Sequence, residues 1–117
     1  MAAPAPIFAL LARALDAAAL RQAVHTSNIA NAGVEGFRRL DVSFDTELER
    51  ASAVLTAGTQ PLDPLLQPHV VQTVEAVRLD QEMALMARDS MHYQALLNAF
   101  DKSIGLLRLA VREGREG

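Results

Sequence analysis

Three histidines, His25, His69 and His92, are the side chains of this chain best suited to proton transfer or metal binding, and their spacing matches neither use. They are far apart, and none belongs to a pair of the H-E-x-x-H kind that puts two ligands on one helix face. His92 falls beside an apolar stripe, where a histidine serves packing. Asp80 and Glu82 are neighbours in sequence, but two residues apart on a helix they point in different directions. They read as a solvated acidic face near a helix start, not as an acid–base pair. Met83, Met86 and Met91 could line a peptide groove, yet methionine at such spacing fills gaps in a core. There is no cysteine, which removes disulfides, thiolate metal sites and thiol nucleophiles. Neither a phosphate-cradling glycine loop nor a Ser-His-Asp order is present. The expectation is a protein that is not an enzyme and has no cofactor, metal or small-molecule substrate.

The elements that carry these residues follow from composition. The 117 residues are half hydrophobic, with alanine and leucine dominant and only four phenylalanines and one tyrosine among the rings. That suits close helix packing better than a β-sandwich, which is built from Val, Ile, Thr and aromatic residues. A formal charge of −3, with the arginines and Lys102 scattered along the chain, leaves no basic footprint for nucleic acid. The apolar run Ile7–Ala12 is short, has no cation before it and stops at Arg13, unlike a secretory signal. No stretch approaches the ~18 apolar residues of a membrane span. The chain therefore reads as soluble, with no cleavable signal peptide.

The expected fold class is all-α: one domain over 1–117, with two long terminal helices forming an elongated coiled-coil hairpin. The first helix is expected over 7–32, after Pro4 and Pro6 and before a glycine stop at Gly33. Residues 33–72 read as irregular, broken by Gly58, Pro61, Pro64 and Pro68. Within them, a short helix from Asp45 to Leu55 is suggested by Asp45 as a cap, by Glu47 and Glu49 near the positive end of the helix dipole, and by a Leu48-Ala51-Ser52-Leu55 face. The second long helix is expected over 73–113, closed by Gly114. Its signal is the series Leu79, Met83, Met86, Ser90, Tyr93, Leu97, Phe100, Ile104, Leu107 and Val111. The steps alternate four and three, the 3.5-residue repeat of a left-handed coiled-coil seam. Gly105 lies within that helix and suggests a close crossing.

At ~1.5 Å per residue the two expected helices measure roughly 38 Å and 60 Å, so about 20 Å of seam has no partner from the first helix. A hairpin this small gains only ~3–5 kcal/mol from its own core, and each seam residue left in water forfeits roughly 1.5–3 kcal/mol. One expectation is a marginally folded monomer that completes its core against other subunits. The alternative is an ordinary small helical domain whose middle segment wraps the remaining seam.

A long motif bears on that choice. Ser27-Asn28-Ile29-Ala30-Asn31-Ala32-Gly33-Val34-Glu35-Gly36-Phe37 resembles the S-N-I-A-N-A-x-T-x-G-F/Y signature of the flagellar rod, hook and hook-associated proteins. Its asparagines can hydrogen-bond nearby backbone or a neighbouring chain, Gly33 and Gly36 permit positive φ, and Phe37 is placed to anchor the returning chain. Arg38-Arg39-Leu40-Asp41-Val42-Ser43-Phe44, the stretch Val77–Ala87, Tyr93-Gln94-Ala95-Leu96 and the ending Leu106–Gly114 are similar to FlgB-type proximal rod proteins. FlgC-type proteins share the first motif but differ in the C-terminal helix. This chain departs from the pattern at Val34-Glu35, where the family usually has Thr-Pro, and it is short in the middle.

The resemblance implies a subunit of the flagellar basal-body rod, with Ser27, Asn28, Ile29, Ala30, Asn31, Gly33, Gly36 and Phe37 as the family motif. It implies that the terminal helices pack between subunits, using the Leu79–Val111 stripe. The implied partners are copies of the same chain, other rod proteins such as FlgC, the adaptor FliE near the membrane ring, and the flagellar type III export apparatus. The implied location is the periplasmic rod of the basal body. A cytosolic helical adaptor or export chaperone would use the same stripe and is the competing expectation.

Overall fold

The computed structural model describes residues 4–44 and 67–116. Helix α1 runs from Pro4 to Ala30, strand β1 from Leu40 to Ser43, strand β2 from His69 to Gln72, and helix α2 from Leu79 to Glu116. The two helices form an antiparallel hairpin within a body of 65 × 26 × 16 Å. Phe8 meets Phe100 edge-on, with ring centroids 6.2 Å apart, while at the other end Gln22 reaches the Met86 carbonyl. The mainly helical expectation therefore holds.

Helix α1 starts earlier than Ile7, because Pro4 and Pro6 occupy its first turn. The N–H that proline lacks would have no intrahelical acceptor there, and the fixed φ suits a helix start. Its apolar positions Ala17, Leu20 and Val24 make one face. The sheet supplies what covers that face. Side chains alternate along a strand, so Leu40, Val42 and Phe44 turn toward α1 and close a small core, in which Phe44 is 1% exposed.

The two strands are the feature that the irregular reading of 33–72 lacked. They pair antiparallel in the register Leu40↔Gln72 to Ser43↔His69. The pairing continues past the strand ends: the Arg39 N–H donates to the Glu75 carbonyl at 2.7 Å, and the Thr73 N–H donates to the Arg39 carbonyl at 2.9 Å. Those bonds tie Thr73 and Glu75 to Arg39, the chain bends at 74–75, and α2 begins only at Leu79, six residues after its expected start at 73. All four residues of β2 are exposed.

The glycines also fall differently. Gly36 takes the left-handed conformation, with φ +82°, and turns the chain out of α1; Gly33 does not. Gly114 does not end α2, which continues to Glu116. No other part of the described chain approaches Gly105 within 4 Å of where a Cβ would stand, so Gly105 marks no close crossing. The expected helix from Asp45 to Leu55 lies outside the described residues.

Candidate functional site

Where α1 ends, its polar residues meet polar residues of α2 in the interior. His25 is 4% exposed and Asn28, one turn later on the same face, is 0% exposed. Opposite them on α2 stand Glu82 and Asp89, one heptad apart and also buried. The His25 ring lies between the two carboxylates. Its Nδ1 contacts Glu82 Oε2, and its Nε2 is 2.7 Å from Asp89 Oδ2.

Asn28 joins three elements. Its Nδ2 donates to the Leu40 carbonyl at 2.9 Å, and the Leu40 N–H donates back to its Oδ1 at 2.9 Å. The side-chain amide thus satisfies both backbone groups of Leu40, much as a neighbouring strand would. The same Nδ2 also donates to Glu82 Oε2 at 3.0 Å. Arg39 completes the cluster by donating from Nε to Glu82 Oε1 at 2.7 Å, with Asp41 at its outer side. On the exposed side, the Arg88 guanidinium donates to Asp89 Oδ1 at 3.1 Å.

Burial pushes the Glu82 carboxyl up, but hydrogen bonds from Asn28, His25 and Arg39 outweigh that and hold it below the usual carboxylate range. Asp89 follows the same balance, with burial opposed by His25 and Arg88. Burial tends to lower the Arg39 pKa, and Glu82 and Asp41 raise it above its ordinary value. His25, Asn28, Glu82 and Asp89 each have a partner on another element, so the cluster ties α1 to α2. Among the described residues, no group of three or more His, Cys, Asp or Glu is arranged to hold a metal ion.

This placement corrects the reading of Asp80 and Glu82 as one solvated face. Asp80 is exposed, whereas Glu82 is 1% exposed and sits at the centre of the junction. The stripe of α2 that faces α1 passes through Glu82, Met86, Asp89 and Tyr93, one residue aside from Met83 and Ser90 in its first turns. Met83 is 57% exposed, and Ser90 is exposed. Apolar periodicity misses such a stripe because its residues are charged and are buried only with their partners. Farther along, Met86, Tyr93, Leu97, Phe100, Ile104 and Leu107 are half-buried, while Leu79 and Val111 are exposed.

The motif residues divide in the same way. Asn31 bonds back to the Ser27 carbonyl through its backbone and, at 2.8 Å, through its side chain. Both asparagines therefore bond within this chain. Ile29 is half-buried, Ala30 and Gly33 are exposed, and Gly36 makes the turn. Phe37 is half-buried, and it is Phe44 that anchors the returning chain in the core. The sequence reading overlooked His25, Arg39, Glu82 and Asp89 as a unit. The only trace of that unit in the sequence is the one-heptad interval between two acids on a helix opposite a histidine.

No helix of the described residues is long and apolar enough to cross a membrane. No curated protein matches the chain. A family model described as flagella basal body rod protein matches residues 10–38, about a quarter of the chain, from the core face of α1 through Asn28 to the turn at Gly36. Over that segment, the chain is similar to the flagellar basal-body rod proteins.

Proposed function

We propose that this chain is a structural, non-catalytic subunit of the flagellar basal-body rod, of the proximal FlgB-like type, acting as one domain that self-assembles through its terminal helices. The supporting observation is the unequal length of the hairpin arms. Phe8 lies opposite Phe100, so the start of α1 at Pro4 lies four residues farther on, near Ile104. Helix α2 then continues to Glu116, an overhang of about 18 Å at ~1.5 Å per residue. Leu106, Leu109 and Val111 are 68%, 48% and 46% exposed on that overhang. Full burial of a leucine or valine stabilises by roughly 1.5–3 kcal/mol, so covering this face with a neighbouring subunit supplies a driving force for assembly. A head-to-tail contact that does not close generates a helical tube, the form a drive shaft requires.

On this reading the neighbours are further copies, FlgC-like rod proteins and the FliE adaptor, reached after passage through the flagellar type III export apparatus to the periplasmic rod. The test is fractionation of a tagged copy from its flagellated host. Co-purification with detergent-extracted basal bodies is the expected result. A purely cytosolic pool beside intact basal bodies that lack the protein would overturn it and favour a cytosolic adaptor or export chaperone.

A further inference from the structure

The family-matched segment accounts for a tight joint, but it does not account for a histidine clamped between two buried acids. A neutral imidazole carries one N–H and one bare nitrogen. His25 presents both ring nitrogens to carboxylate oxygens, which are acceptors only. The contact is satisfied at both ends when the ring holds both protons. Arg39 pairs with Glu82 and the exposed Arg88 with Asp89, so the argument for the second proton is the hydrogen-bond geometry. A neutral ring would turn a bare lone pair toward Asp89 or Glu82.

The groups around the ring come from every element packed on it. Helix α2 contributes Glu82, Asp89 and, behind Asp89, Arg88; Arg39 and Asp41 come from the β1 side, Glu75 from the stretch before α2, and Arg21 from α1 itself. Apart from Glu82, these residues line with His25 an open cleft of about 280 Å³, which gives the ring access to solvent protons. His92 borders the adjacent cleft beside Arg21, Arg88 and Asp89.

We propose that the hairpin is closed by a proton-dependent latch, in which the doubly protonated ring of His25 bridges Glu82 and Asp89, and that loss of one ring proton loosens this end of the hairpin. The latch joins α1 to α2 beside the Asn28 tie, so its release frees the two arms at the turn-proximal end.

The experiment is a pH titration of the full chain, following the ¹⁵N shifts of the His25 ring together with thermal unfolding. Both ring nitrogens are expected to be protonated at pH 6 in the folded protein. The melting midpoint is expected to fall by about 5–10 °C between pH 6 and pH 9. Asp89→Asn should fold and lose most of that dependence, because its side-chain amide can donate to a bare Nε2. His92→Gln should keep it. Where melting is too broad to read, backbone exchange over residues 82–89 should show at least a tenfold loss of protection at pH 9, after correction for the intrinsic rate. A bare ring nitrogen on His25 at pH 6, a midpoint and protection unchanged to pH 9, or an Asp89→Asn variant with the full dependence would each overturn the latch.

Discussion

Replacing Asn28 with alanine tests the centre of this fold. The side chain is fully buried and makes three hydrogen bonds, two with the Leu40 backbone and one with the Glu82 carboxylate. A neutral hydrogen bond contributes about 0.5–1.5 kcal/mol net and one to a charged group about 1.5–3 kcal/mol. Truncation also leaves the Leu40 N–H and carbonyl without their partner. Allowing for a water that enters the space, the expected loss is about 2–4 kcal/mol. A small scaffold draws only ~3–5 kcal/mol from its core, so Asn28→Ala should lower the melting midpoint by roughly 10–20 °C or leave the isolated chain largely unfolded. Asn28→Asp should cost at least as much at neutral pH, since it keeps the acceptor for Leu40 but sets a second carboxylate against Glu82. Asn31→Ala removes one side-chain bond at a half-buried position and should cost no more than about 1 kcal/mol. Urea unfolding followed by far-UV circular dichroism measures all three. A loss below about 0.5 kcal/mol for Asn28→Ala would refute the claim that this amide ties α1, β1 and α2 together.

Acid should loosen the same joint. Glu82 and Asp89 are held below the usual carboxylate range, so their contribution is present above the ordinary value near ~4 and is lost as pH falls through the depressed folded-state values. Unfolding midpoints between pH 2 and pH 6 should show that slope, and Glu82→Gln should reduce it. Gly36→Ala should destabilise by about 1–2 kcal/mol, because φ +82° is costly for an L-residue. Gly105→Ala should be neutral or stabilise by up to ~1 kcal/mol, since a Cβ meets open space there; chemical denaturation of both variants checks the pair. Phe100→Asp should open the far end of the hairpin and block assembly, because Phe100 packs on Phe8, and Leu97→Asp should block assembly by placing a charge in the seam. Leu106→Asp, at an exposed position, should leave the melt of the isolated chain unchanged while abolishing its recovery in basal bodies.

The sequence by itself determined the two helices, the break between them and the rod-family motif. Each of these is a local property: a 3.5-residue repeat, a proline-free alanine-rich run, and a string of small and polar residues around a turn. Even so, local reading misplaced the face of α2 in its first turns, because it follows hydrophobicity and the residues turned inward there are Glu82 and Asp89. The two short strands were equally hidden. With four residues each, they have too little pattern of their own and exist because Leu40–Ser43 finds His69–Gln72 across the intervening chain and packs Val42 and Phe44 on α1. Only the tertiary structure decided that Asn28 bonds β1 and Glu82, and that His25 lies between two acids. A buried charge is tolerable only beside its partner, and the partners of Glu82 lie 43, 54 and 57 residues away in the chain. Sequence spacing cannot express a distance that folding alone closes.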